Sequence, residues 1–441
     1  MKSRNLLIAA VLLAALSGAV WWAKKHPEAS STGTATNSSP KLLDITDAQL
    51  QSIDLTKRNG DTIALQRQNG KWVITSPQQL PADQDAMTSM ASALNPLTAD
   101  SVVEDKATNM STYGLSSPSV TVRVHEKNGK SDTLAFGDDV PAGSLVYARL
   151  NNGAKVYAVS SSAKTSFDKT MNDLRDKHLL TFNQNSVSRI ELTSAKGTVE
   201  FGKNNQNEWQ IVKPQPYRAD NFEVEELLRK LSEAKMDLSG SGDDVKKAAA
   251  DFAAGQQVSS VTVTDAGGTQ TLQVRKNKDD YYAKSSVVSG VYKISADLGK
   301  SLEKTPEDFR NKKIFDFGFS DPTKIGIQQA SGEKVLARSG TDWKLNGQTM
   351  DAGSVQSVID KLRDLSATKF AVTGFTATSF TISVTSNDGK RSERVDFAKT
   401  PDGYIARRQN EPALYVLDAK PVNDILEAAN GIKAAAPAKK K

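Results

Sequence analysis

The chain has 441 residues, 38% of them hydrophobic and 24% charged, with a formal net charge of +6. That suits a folded, water-facing body of about three domains, and the interleaving of Lys and Arg with Asp and Glu excludes the concentrated basic stripe of a nucleic-acid binder. The absence of cysteine excludes disulfides, thiolate nucleophiles, iron–sulfur clusters, Cys-based zinc sites and a lipid anchor on cysteine.

At the N-terminus Lys2 and Arg4 precede an apolar run from Leu6 to Ala23, which ends in Trp21 and Trp22 and is followed by Lys24 and Lys25. Roughly eighteen residues at about 1.5 Å each span about 27 Å, close to a hydrocarbon core. Aromatic residues prefer the membrane interface and cations flank it. The run therefore predicts a membrane anchor over 1–26 with the bulk of the chain translocated, as in a single-pass protein of a bacterial inner membrane. A cleaved leader is the rival reading, because Leu16-Ser17-Gly18-Ala19 offers small residues. Residues 27–40, rich in Ser, Thr and Gly, read as a flexible tether.

Beyond the tether the tryptophans are Trp72, Trp209 and Trp343, spaced 137 and 134 residues apart. Each follows candidate strands, the first containing Ile53-Asp54-Leu55, Ile190-Glu191-Leu192 or Ile325-Gly326-Ile327. Asp83, Asp220 and Asp351 then stand where a helix N-cap would, and Asp220 with Glu223 resembles a capping box. Behind them Met87, Met90, Ala91, Leu94, then Val224, Leu227, Leu228, Leu231, then Val355, Val358, Ile359, Leu362 keep helical spacing. Alternating strands follow, such as Val120-Thr121-Val122-Arg123-Val124. Next come tyrosines on successive strands: Tyr147 and Tyr157, Tyr282 and Tyr292, Tyr404 and Tyr415. The expected fold class is α+β: three tandem repeats, each a mostly antiparallel sheet with packed helices, after one N-terminal transmembrane helix. The expected units are 41–182, 183–318 and 319–433, with a basic tail over 434–441 that ends in Lys439, Lys440 and Lys441. The tryptophans read as core anchors, the aspartates as caps and the tyrosines as cross-strand packing.

The order of several short motifs carries a resemblance. Trp72-Val73-Ile74 is followed by Pro77 and Pro81-Ala82-Asp83. Tyr113-Gly114-Leu115 with Pro118, Phe136-Gly137, Val156-Tyr157-Ala158-Val159 and Leu174-Arg175-Asp176-Lys177 come after. This resembles the bacterial family called domain of unknown function 4340, best over 41–182 and more loosely to 433. The later units lack the Tyr-Gly-Leu element and keep only Phe252 and Gly374-Phe375 nearby. The resemblance implies an envelope protein, often encoded beside an ABC-type exporter of the gliding-motility kind. It brings no established reaction, and so no catalytic residues.

A search for chemistry finds little. The histidines are His26, His125 and His178, with no metal-ligand spacing between them. Gly129-Lys130-Ser131 and Gly299-Lys300-Ser301 lack the upstream glycine of a phosphate loop; Val124 and Ile294 stand there. Asp138-Asp139, Asp243-Asp244 and Asp279-Asp280 read as solvated turns. Arg149, Lys284 and Arg407 recur two residues after Tyr147, Tyr282 and Ile405, the last shifted by one from Tyr404. Pairing with acidic neighbours is the plain reading of these cations, and a row contacting an anionic partner is the sharper one.

The sequence thus predicts a non-enzymatic, membrane-tethered accessory or scaffold protein without cofactor or metal, associated with an ABC-type exporter. A module binding cell-wall polymer or polysaccharide is the alternative, and a hydrolase with a scattered acidic site stands behind it.

Overall fold

The computed structural model describes residues 39–141, 143–240 and 242–436. Antiparallel strands dominate, in one two-stranded sheet and in sheets of nine, eight and nine strands. In the first large sheet the central strand Leu50–Lys57 pairs with Thr62–Gln68 on one side and Val120–Glu126 on the other. Hairpins continue one way through Lys71–Ser76 to Leu80–Pro81. They continue the other way through Ser131–Asp139, Leu145–Leu150 and Val156–Ser160, and Ser101–Glu104 closes that edge. The second and third sheets have the same strand order around Arg189–Ser194 and Lys324–Gln329. In the second sheet a single bridge from Asp237 to Lys293 stands where the first and third have a ninth strand.

Local sequence explains these elements. Val120, Val122 and Val124 alternate with polar residues and are at most 1% exposed, as a half-buried strand requires. Asn69-Gly70 and Asn346-Gly347 both have positive φ, at 50° and 81° and at 51° and 81°, and so form two-residue hairpin turns that match strand twist. The Asp83 carboxylate accepts from the backbone N–H groups of Asp85 and Ala86, Asp220 from Phe222 and Glu223, and Asp351 from Ser354. Each caps a helix (Gln84–Ser92, Asn221–Ser232 and Ala352–Asp364) whose apolar stripe faces one of three large cores. Glu223 does not complete a capping box, since its side chain pairs with Lys304.

The outer face of each sheet, away from its core, is covered differently. In the first, Leu115, Ala107 and Tyr113 pack against Ala135, Val156 and Tyr147. This close approach needs glycine at 137, where a Cβ would lie 2.0 Å from the Tyr113 carbonyl oxygen. In the second, the helix Gly242–Ala254 lays Ala248 and Phe252 on Tyr282. In the third, Phe375 lies under the Arg407 guanidinium, 4.2 Å from the ring centre.

The tyrosines are not cross-strand pairs. Tyr157 stands opposite Ala148, and Tyr292 opposite Ala283, so both point to the inner face while Tyr147 and Tyr282 point outward. Tyr404 and Tyr415 are both in the inner core. The outward position in the third sheet belongs to Ile405.

The expected fold class is corrected on three points. Antiparallel sheet dominates in place of an α+β mixture, in four sheets. The described residues divide into two compact units, one ending at Asp176 and the other beginning at Lys177, not three. Even tryptophan spacing counts sheets, and the second and third sheets share packing: Tyr217 lies against both of their cores. Third, among the described residues no helix is long and apolar enough to cross a membrane. The Leu6–Ala23 run and the Lys439–Lys441 run lie outside the described residues.

Candidate functional site

Within the unit 177–441, the edge of the second sheet meets two turns of the third. Backbone bonds set this up. Ala219 bridges to Arg310, the Arg218 carbonyl accepts from Asn311 N–H at 3.0 Å, and Asp220 N–H donates to Phe309 at 2.8 Å. Arg218 then extends into the third sheet with only 14% of its side chain exposed. It lies 3.1 Å from Asp316 Oδ2 and 3.0 Å from Glu411 Oε1, and it donates to the Tyr415 hydroxyl at 3.2 Å and to the Lys313 carbonyl.

The network continues on the third sheet. Arg408, 10% exposed, bonds Glu411 at 2.7 Å, Glu393 at 2.9 Å and the Ile314 carbonyl. Asp316 N–H donates to Glu393 at 3.0 Å. Arg391 donates to the Asp316 carbonyl at 2.8 Å and pairs with Glu208 of the second sheet. Beside this chain of charges the Arg310 guanidinium sits between two rings, 3.9 Å from the centre of Tyr217 and 3.5 Å from that of Phe370, a desolvated cation–π arrangement.

Electrostatics follow from burial. Burial works against the Arg218 charge, yet Tyr415, Glu411 and Asp316 outweigh it and hold the guanidinium above its usual range. Arg310 has less anionic company, and burial pushes it down. Tyr415 donates its hydroxyl to Glu411 at 2.7 Å. Burial raises this phenol, the Arg218 charge pulls it back, Glu411 raises it again, and the result is about 12 against an ordinary 10.0. A raised folded value contributes stability that is whole below pH 10 and is lost as pH climbs through 12. The unit should therefore lose about 3 kcal/mol from this group between those limits, and Tyr415→Phe should flatten that part of the loss. Urea melts from pH 9 to 12 measure it; parallel curves for the two proteins would refute it.

Above the network lies a cleft of about 880 Å³ lined by Gln206, Gln210, Tyr217, Asn387, Gln409 and Asn410 among others. Its charged groups are largely committed to one another. Among the described residues no three His, Asp or Glu side chains come together as a metal site.

The residues singled out from the sequence lie elsewhere. Arg149, Lys284 and Arg407 are on three different sheets, each directly after an inward alanine: Ala148, Ala283 and Ala406. Arg149 is half-buried, its Nε enclosed without a hydrogen-bond partner. Lys284 is exposed. Arg407 pairs with Asp396 at 3.4 Å. Trp72, Trp209 and Trp343 are 3%, 4% and 7% exposed, one in each large core. A cation lies over the first two rings at 4.9 Å, Arg67 on Trp72 and Lys203 on Trp209. His125 contacts Ser131 at 2.6 Å and Asp54 at 3.6 Å. Lys130 of the first Gly-Lys-Ser pairs with Asp132 at 2.8 Å in a hairpin. Asp138 and Asp280 are held by Arg58 and Lys293, each at 2.8 Å.

Sequence reasoning did not find Arg218, Arg408, Asp316 or Glu411. One signal was available: Arg218-Ala219-Asp220 matches Pro81-Ala82-Asp83, with a cation where the first sheet has proline.

Comparison with known families adds one finding. Residues 72–208 and 209–390 match the sequence model described as Domain of unknown function (DUF4340). The chain belongs to this family. Two copies are matched, not three, and each match begins at a tryptophan, Trp72 or Trp209. No curated protein and no solved structure matches.

Proposed function

We propose that this member of the family is a non-catalytic accessory or scaffold protein at the extracytoplasmic surface of a bacterial inner membrane, docking a partner through the outer faces of its sheets. The observation that carries the reading is the shared position of Arg149, Lys284 and Arg407. Each follows an inward alanine and stands on the outer face of its own sheet. Charges placed there tune encounter and register with an anionic surface more than they tune folding. The lysine-flanked Leu6–Ala23 run supports the location, and the family resemblance makes an ABC-type exporter of the gliding-motility kind the partner to test.

Changing all three cations to Glu should weaken retention of the exporter in a detergent pull-down and make what remains less dependent on salt. Lys284→Glu alone should shift the melt little, since Lys284 is exposed and exposed charge changes usually alter stability by about ±0.5 kcal/mol; because Arg149 is half-buried, the melt of the triple variant is read beside its retention. Undiminished retention would remove these cations from the reading. A hydrolytic activity that follows the purified chain and dies with one acidic substitution would overturn the reading itself.

A further inference from the structure

Independently of the outer-face cations, we propose that the cleft between the second and third sheets binds a neutral, hydroxyl-rich chain of the oligosaccharide class. The cleft is wide enough, at about 880 Å³, for several sugar rings or an equivalent ligand. Its charges cancel. Arg218, Lys390, Arg391 and Arg408 line it together with Glu208, Asp316, Glu393 and Glu411, four cations with four carboxylates. An ionic ligand would have to compete with ion pairs already made, at a desolvation cost that a neutral ligand avoids.

Besides Lys390 and Ser392, the hydrogen-bonding residues left over carry amides: Gln206, Gln210, Asn387, Gln409 and Asn410 line the cleft and are exposed. Each planar amide offers a donor and an acceptor side by side, the pairing that neighbouring hydroxyl groups on a sugar satisfy. Two of these residues are held in position by their turns: Asn387 and Asn410 have φ of 51° and 64°, a conformation that asparagine tolerates better than most residues. Pro216 and Tyr217 give the cleft an apolar edge, as a ring's carbon face requires. The floor beneath is rigid, because Arg218 and Arg408 are cross-linked through Glu411. A preorganised floor lowers the ordering cost of binding.

The test is calorimetric titration of the full chain in detergent with neutral tetrasaccharides of glucose and of N-acetylglucosamine. An uncharged tetrapeptide and a sulfated tetrasaccharide are run beside them. Saturable binding of a neutral sugar is expected, little changed by about 0.5 M salt because no ion pair forms. The Gln409→Ala, Asn410→Gly double variant, in which glycine keeps the positive φ of position 410 without strain, should weaken it at least about tenfold with an unchanged melt. A conservative pair, Gln409→Glu with Asn410→Asp, should weaken it as well by removing donors. The proposal is overturned by any of three results: no saturable binding up to about 10 mM sugar, tighter binding of the peptide or the sulfated sugar, or sugar binding that the double variant leaves intact. None of these outcomes bears on exporter retention, so the docking reading stands or falls separately.

Discussion

Replacing Arg218 with alanine is expected to cost the unit 177–441 about 3–5 kcal/mol. Its guanidinium is 14% exposed and serves Glu411, Asp316 and Tyr415 at once. Removing it leaves Glu411, 15% exposed, with only Arg408 to compensate it, and removing one partner of a buried pair usually costs that much. Replacing both charges is expected to be milder: Arg218→Met with Glu411→Gln should recover most of the loss, because no lone charge stays buried. Guanidinium unfolding followed by circular dichroism gives both numbers. A single variant within about 0.5 kcal/mol of the natural chain would mean that the network is a surface decoration.

Trp209→Ala and Trp343→Ala should each cost about 3–5 kcal/mol, the range for a large aromatic removed from a core, since the two rings are 4% and 7% exposed. The informative part is which transition moves. The second and third sheets lie in one compact unit, with Tyr217 packed on both cores and Arg218 pinned in the third sheet. Both substitutions should therefore shift the same unfolding transition. Two separate transitions, each responding to one tryptophan, would show that the sheets unfold independently and that the joint between them is weak.

The parts of this fold that were legible in the sequence are those set by neighbours along the chain. Asp83, Asp220 and Asp351 bond N–H groups two or three residues away, and Val120, Val122 and Val124 declare their face by alternation. The joint was not legible, because its members are far apart in sequence. Arg218 meets residues 98 and 197 positions later, Asp316 and Tyr415, and no periodicity connects them. Adjacent residues on one strand divide between its faces: Arg407 stands on the outer face, while Arg408, its neighbour on the opposite face, is a buried member of the network at 10% exposure. Tyr404 appeared equivalent to Tyr147 and Tyr282, but it faces the core, because strand faces alternate and an offset of one residue changes sides. The number of units failed for a related reason: a repeated tryptophan reports how often a sheet recurs, and how sheets merge depends on side chains such as Tyr217 that the repeat does not share.

The chain of charges from Glu208 through Arg391 and Asp316 to Arg218, Glu411 and Arg408 also has a consequence for warming. Hydration of ions becomes less favourable as temperature rises, so the cost of keeping these groups from water shrinks. The apolar cores on either side gain no comparable advantage. Heat therefore weakens the seam less than the cores it joins, and the two sheets should stay coupled up to the unit's shared transition.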